Sequence, residues 1–158
     1  MEMNEEVKEL PVPVSKTKKI RRRVRKNKLP LLDGYLKIVL HQMDRGYIKG
    51  FYSCQKSSKG IHRCKSGRRS QYIGVSKNSK NWQVLANLHT CKKYVGTFPT
   101  EKEAAIVNDF YTIAYCGFRA MTNFTYSIEL VKEMIQYYYD NEKDFNPEPF
   151  VHRVNTNC

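Results

Sequence analysis

Between Gln71 and Phe98 three short segments, QYIGVS, NWQVLANL and KKYVGTF, follow one another with a few polar residues between them. Apolar and polar residues alternate along them, the period of a half-buried strand, and connections this short join antiparallel neighbours. In the middle segment Trp82, Val84, Ala86 and Leu88 share one face, and Gln83, Leu85 and Asn87 share the other. A one-residue slip would turn the apolar set to water, so the pattern commits the chain to a meander with one packed face and one free face.

The residues that follow indicate what packs there. Thr100 to Glu103, TEKE, has the form of a capping box, and Gly117 is placed to end the helix it opens. Within that helix Ala104, Ala105, Asn108, Thr112 and Tyr115 share a face, and the two small alanines permit close approach to a sheet. Ile106, Phe110 and Ile113 form a second stripe, which a helix alone on a sheet would leave in water. Two segments are candidates to cover it. One is a short helix within Asp33 to Phe51, with Leu36, Val39, Leu40 and Met43 at helical spacing and an end near Gly46. The other is Ile128 to Tyr139, striped by Ile128, Val131, Ile135 and Tyr138. The expected fold class is therefore α+β, a three-stranded antiparallel β-sheet packed on one α-helix, with extra flanking helices.

A chain of 158 residues accommodates one such domain with tails. Residues 1–30 read as a disordered basic arm, 31–70 as an extension with a short helix and a basic loop, and 71–124 as the domain itself. Residues 125–140 read as a C-terminal helix and 141–158 as a polar tail. The net charge is +13, and the run Lys16 to Lys28 holds nine basic residues and no acid. Such a run, including Lys18, Lys19, Arg21, Arg22, Arg23, Arg25 and Lys26, serves nuclear import, contact with a polyanion, or both. No window approaches the roughly 18 apolar residues of a membrane span, and MEMNEEVKELP has no signal peptide's apolar core, so no membrane association is expected.

The five cysteines, Cys54, Cys64, Cys91, Cys116 and Cys158, lack the dense spacing of a disulfide framework and read as reduced thiols. Cys54, His62, Cys64, His89 and Cys91 are of metal-ligating types, but their spacing is not that of a zinc finger, and no metal or other cofactor is expected. No Ser/His/Asp triad, Walker loop or HExxH string is present, so no enzyme is expected. Asp109 reads as a structural carboxylate of the helix.

The stretch YIGVSKNSKNWQVLANLHTCKKYVGTFPTEKEAAIVNDFYTIAYCGFRAMTNF resembles the Apetala-two/ethylene-response-factor domain over about a third of the chain. The residues that carry the resemblance are Tyr72, Gly74 and Val75, then Trp82, Gly96, Phe98 and Thr100. Glu103, Ala104, Ala105, Asp109, Gly117, Asn123 and Phe124 continue it. The resemblance implies that the outward face of the sheet enters the major groove of double-stranded DNA while the helix holds the sheet from behind. By position the groove-facing set would be Ile73, Ser76, Lys77, Gln83, Leu85, Asn87, Lys92 and Tyr94, with Arg68 and Arg69 placed for phosphates.

Plant members carry several arginines and a tryptophan on that face, and this chain does not. Gln83 and Asn87 suit adenine, and Ile73 or Leu85 a thymine methyl, so an A/T-leaning site is expected. The bland alternative puts Ile73 and Leu85 beneath a terminal extension. The expected function is thus a nuclear DNA-binding transcription or chromatin factor. The alternative is an RNA-binding structural subunit of a ribonucleoprotein with the same fold. A nuclease relative would need paired catalytic histidines, and residues 31–70 offer His41 and His62 without such a motif. A protein partner or homodimer is expected through Ile106, Phe110, Ile113 or the Ile128 to Tyr139 helix if these stripes do not cover one another.

Overall fold

The computed structural model describes residues 32–54, 69–88 and 91–154, and within them the chain is of the mixed α+β class. Helix α1 spans Leu32–Asp44, strands β1, β2 and β3 span Val75–Asn78, Asn81–Leu88 and Cys91–Phe98, and helices α2 and α3 span Glu101–Cys116 and Ile128–Asp140. The strands form one antiparallel sheet in the order β1-β2-β3. The basic arm from Lys18 to Lys26 lies outside the described residues, as do Arg68, His62, Cys64, His89 and Cys158.

Local chemistry sets the helix boundaries. Helix α1 ends in a Schellman motif: Gly46, at φ 76°, donates to Met43 O at 3.1 Å, and Tyr47 donates to Gln42 O at 2.9 Å. Thr100 caps α2 by accepting the Glu103 N–H at 3.2 Å, and Ser127 caps α3 by accepting the Leu130 N–H at 3.2 Å. Gly117 closes α2 at φ 53°.

Helix α2 packs on the sheet through the alternating residues Val84, Ala86 and Leu88, all buried, while Trp82 at the edge of that row is half-buried. Every residue from Glu103 to Tyr115 is buried, so α2 is enclosed on all sides. Leu32, Leu36, Val39 and Met43 of α1 supply part of the enclosure, with Tyr35 tilted against Tyr115 at 4.9 Å. Leu130, Val131, Met134, Ile135 and Tyr138 of α3 complete it; Ile128, expected in that stripe, is half-buried. Ile106, Phe110 and Ile113 are at most 2% exposed, so the condition under which they were expected to meet a partner, that the stripes leave one another uncovered, is not met. The same packing buries the apolar face of α3.

Residues 141–154 are not a polar tail. The chain reverses after α3 through Glu142 and Lys143, both at positive φ, and Phe145 stacks on Phe110 with centroids 4.0 Å apart and rings 5° from parallel. Phe150 stacks behind it at 5.8 Å and meets Tyr137 edge-on at 5.5 Å, and Val154 is buried. Three buried apolar residues spread over ten positions form no periodic pattern, and for that reason the segment reads as polar in sequence. Phe145→Ala removes a stacked ring from the interior and is expected to cost about 3 kcal/mol, measured as a shift in urea midpoint at unchanged m. A loss below about 0.5 kcal/mol would mean the segment does not close the core.

Candidate nucleic-acid interface

The sheet turns one face to α2 and leaves the other free of every described helix. Register fixes which side chains stand there. Ser76 pairs with Gln83 and Gln83 with Thr97, while Leu85 pairs with Tyr94 and Asn87 with Lys92. All of these belong to the face opposite the buried Val84 and Ala86, and Asn78 joins them at the end of β1. Ser76, Gln83, Leu85 and Thr97 are half-buried, and Asn78, Asn87, Lys92 and Tyr94 are exposed. The face carries amides, hydroxyls and one ammonium, and no carboxylate among these residues.

Two placements differ from the sequence reading. Lys77 pairs with Trp82, on the helix side of the sheet, and its ammonium lies 5.7 Å from the indole centroid. It therefore leaves the groove-facing set. Ile73 precedes the sheet, because residues 71–74 form a bend and a turn and β1 starts at Val75. Arg69 is exposed and bridges to Ser76, beside the face.

Asn78 and Thr97 are additions. A register shift between Val84 and Leu85 leaves Val95 as an extra residue on β3, so Tyr94 and Thr97, three apart, both face outward. Their oxygens lie 2.6 Å from each other. Simple alternation assigns Thr97 to the wrong face, and nothing local in KKYVGTF marks the bulge. The face is also internally bonded: Gln83 Nε2 donates to Ser76 Oγ at 2.9 Å and Asn78 Nδ2 donates to Gln83 Oε1 at 3.4 Å.

A buried network fixes the sheet's edge to α2. Asp109 Oδ1 accepts the Asn123 N–H at 2.8 Å and the Asn123 side-chain amide at 3.0 Å; Oδ2 accepts the Phe124 N–H at 3.1 Å and the Tyr126 hydroxyl at 2.8 Å. Asn123 passes the constraint on, accepting from Ile73 N–H at 2.6 Å and donating to Ile73 O at 3.1 Å. Gly74, next along, sits at φ 75°, and a Cβ there would overlap Asn108 Oδ1. The turn into β1 is held against α2 on both counts.

Among the described residues no cation approaches Asp109 in this network. Burial opposes its ionisation and outweighs the four donors, raising the carboxyl from 3.8 to about 7. The hydroxyl of Tyr126, buried beside it, is pushed well above its usual 10 by burial and by the carboxylate. Among the described residues no group of three His, Cys, Asp or Glu side chains could hold a metal ion, and no helix is long and apolar enough to cross a membrane. Among the described residues Cys54, Cys91 and Cys116 form no disulfide.

No family model matches the chain, and no curated protein or solved structure matches it.

Because the folded carboxyl holds its proton more tightly than the unfolded one, its contribution to stability is complete below about pH 4 and is lost as pH rises through about 7. Urea denaturation at pH 5, 6, 7 and 8 should show stability falling by about 1 kcal/mol per unit at the steepest. Asp109→Asn should flatten that dependence and, by setting an amide against donors, lower stability by about 2 kcal/mol at pH 5. An unchanged pH profile in the variant would mean Asp109 does not titrate in this range.

Proposed function

We propose that this chain binds double-stranded DNA by laying the outer face of its sheet in the major groove, as a nuclear transcription or chromatin factor. The observation that carries the reading is the face itself: hydrogen-bonding side chains and Lys92 in register on three strands, with no carboxylate among them and a helix behind. Its size fits. Three strands about 4.8 Å apart span about 10 Å, within a groove about 12 Å wide. The net charge of +13 and the basic run before the domain suit a phosphate backbone, where each neutralised phosphate releases counterions.

The resemblance to the Apetala-two/ethylene-response-factor domain supports the same reading, since that family uses the corresponding face. In this proposal Gln83 and Asn87 read adenine and Leu85 contacts a thymine methyl, with Ser76, Asn78, Tyr94 and Thr97 beside them. Arg69, and Lys18 to Lys26 from the arm, contact phosphates. The thiols, the absence of catalytic motifs and the structural engagement of Asp109 favour a binding protein over an enzyme.

A second reading, an RNA-binding structural subunit of a ribonucleoprotein, is favoured by one observation. The amide of Gln83 is already bonded to Ser76 and Asn78, which weakens its use for base readout.

The two readings separate in a salt series of binding to a random duplex pool and to RNA, with and without residues 1–30. For a duplex reader, enriched sequences persist without the arm, while the slope of log K against log salt becomes shallower by roughly 0.9 for each phosphate the arm had neutralised. Asn87→Ala and Gln83→Ala should each relax the preference at one base pair by about 1–3 kcal/mol. Equal binding to every duplex and RNA, abolished by removing the arm, would defeat the readout.

A further inference from the structure

Helix α1 leans on the turn that follows α2. A Cβ built at Gly117 would stand 3.0 Å from Gln42 Oε1 and 3.9 Å from Val39 Cγ2, and one turn back in α2 Tyr115 meets Tyr35 at 4.9 Å. With about 3.6 residues per helical turn, Ile38 and Arg45 fall beside Tyr35 and Gln42, on the flank of α1 that faces the Gly117–Arg119 turn. Both carboxylates of α1 lie on the other flank, where Asp33 pairs with Lys143 and Asp44 with Lys132.

Of the six large hydrophobic side chains exposed among the described residues, four gather at this junction: Ile38, Tyr52, Phe118 and Met121, from 54% to 70% exposed. Phe118 and Met121 stand on the turn itself, and the neighbouring Thr122 donates its hydroxyl to Tyr52 O at 3.1 Å. Two exposed cations edge the patch, Arg45 and Arg119, the second of which lies 5.3 Å from the Phe118 ring. Apolar side chains in water, bordered by cations with no acid on that flank of α1, suit an acidic segment that carries apolar side chains of its own.

We propose that the occupant is Glu2 to Leu10 of the same chain, which docks in the seam between α1 and the Gly117–Met121 turn. The segment holds four glutamates, Glu2, Glu5, Glu6 and Glu9, against one lysine, and Met3, Val7 and Leu10 recur at the spacing of one helix face. Reach is ample. The 21 residues between Leu10 and Leu32 can bridge up to about 70 Å, and Ile38 lies about 9 Å along α1 from Leu32. Because segment and patch share a chain, a contact of only millimolar intrinsic affinity fills the seam. A second copy fits less well, since a symmetric contact sets Arg45 and Arg119 against their own equivalents. In the docked state the basic run Lys16 to Lys28 is held at both ends beside α1, and this inference does not depend on what that run contacts.

The test places a benzophenone amino acid at Met3 in the full chain and maps the photo-cross-links by mass spectrometry. Light and heavy isotope-labelled chains are mixed, so that links within a chain are told from links between chains. Intrachain links to residues 34–45 and 117–121 are expected. Ile38→Glu combined with Phe118→Glu should lower their yield roughly fivefold, and Glu5→Lys combined with Glu6→Lys should do the same. Both substituted side chains of the first variant are more than half exposed, and thermal melting checks its fold. Should it not fold, the map from the unsubstituted chain decides by itself. Links confined to the basic run, links only between chains, or a yield indifferent to both variants overturn the proposal.

Discussion

One carboxylate organises the core on which the outer face depends. Asp109 sits in the middle of α2, accepts from the backbone at 123 and 124 and from the Tyr126 hydroxyl, and through Asn123 grips both backbone polar groups of Ile73. That chain of bonds joins segments 50 residues apart in sequence and fixes where β1 begins. The bonds to Asp109 are buried and those to Ile73 partly so, and water is a poor substitute partner around the carboxyl. The cost is borne by ionisation, because burial raises the carboxyl to about 7 despite four donors. A neutral amide of the same shape cannot accept from all four.

The second constraint is enclosure. A helix apolar on every side must be surrounded, and α2 is surrounded by the sheet, α1, α3 and the returning segment 141–154. All described helices therefore gather on one side of the sheet, and the opposite side is left to Leu85 and to polar residues. The proposed DNA-facing surface is thus a by-product of how α2 is buried. Its lack of carboxylates is a property of the sequence; its coherence as one surface comes from the register of three strands. The same enclosure withdraws Ile106, Phe110 and Ile113 from any partner.

The sequence by itself determined whatever is encoded within a few residues. Alternation in NWQVLANL set the faces of β2, Thr100 and Gly117 set the ends of α2, and Gly46 ended α1, because caps and periodicity act through bonds and burial one turn away. Tertiary structure alone decided the rest. The bulge at Val95 brings Tyr94 and Thr97 to one face, the pairing of Lys77 with Trp82 carries that lysine to the other, and Asn108 occupies the space that a Cβ at Gly74 would need. Phe145 and Phe150 look solvated in a polar stretch until Phe110 and Tyr137 are placed beside them. In each case the deciding neighbour lies on another element of the fold, and a side chain's burial or facing then follows from contacts its own segment does not contain.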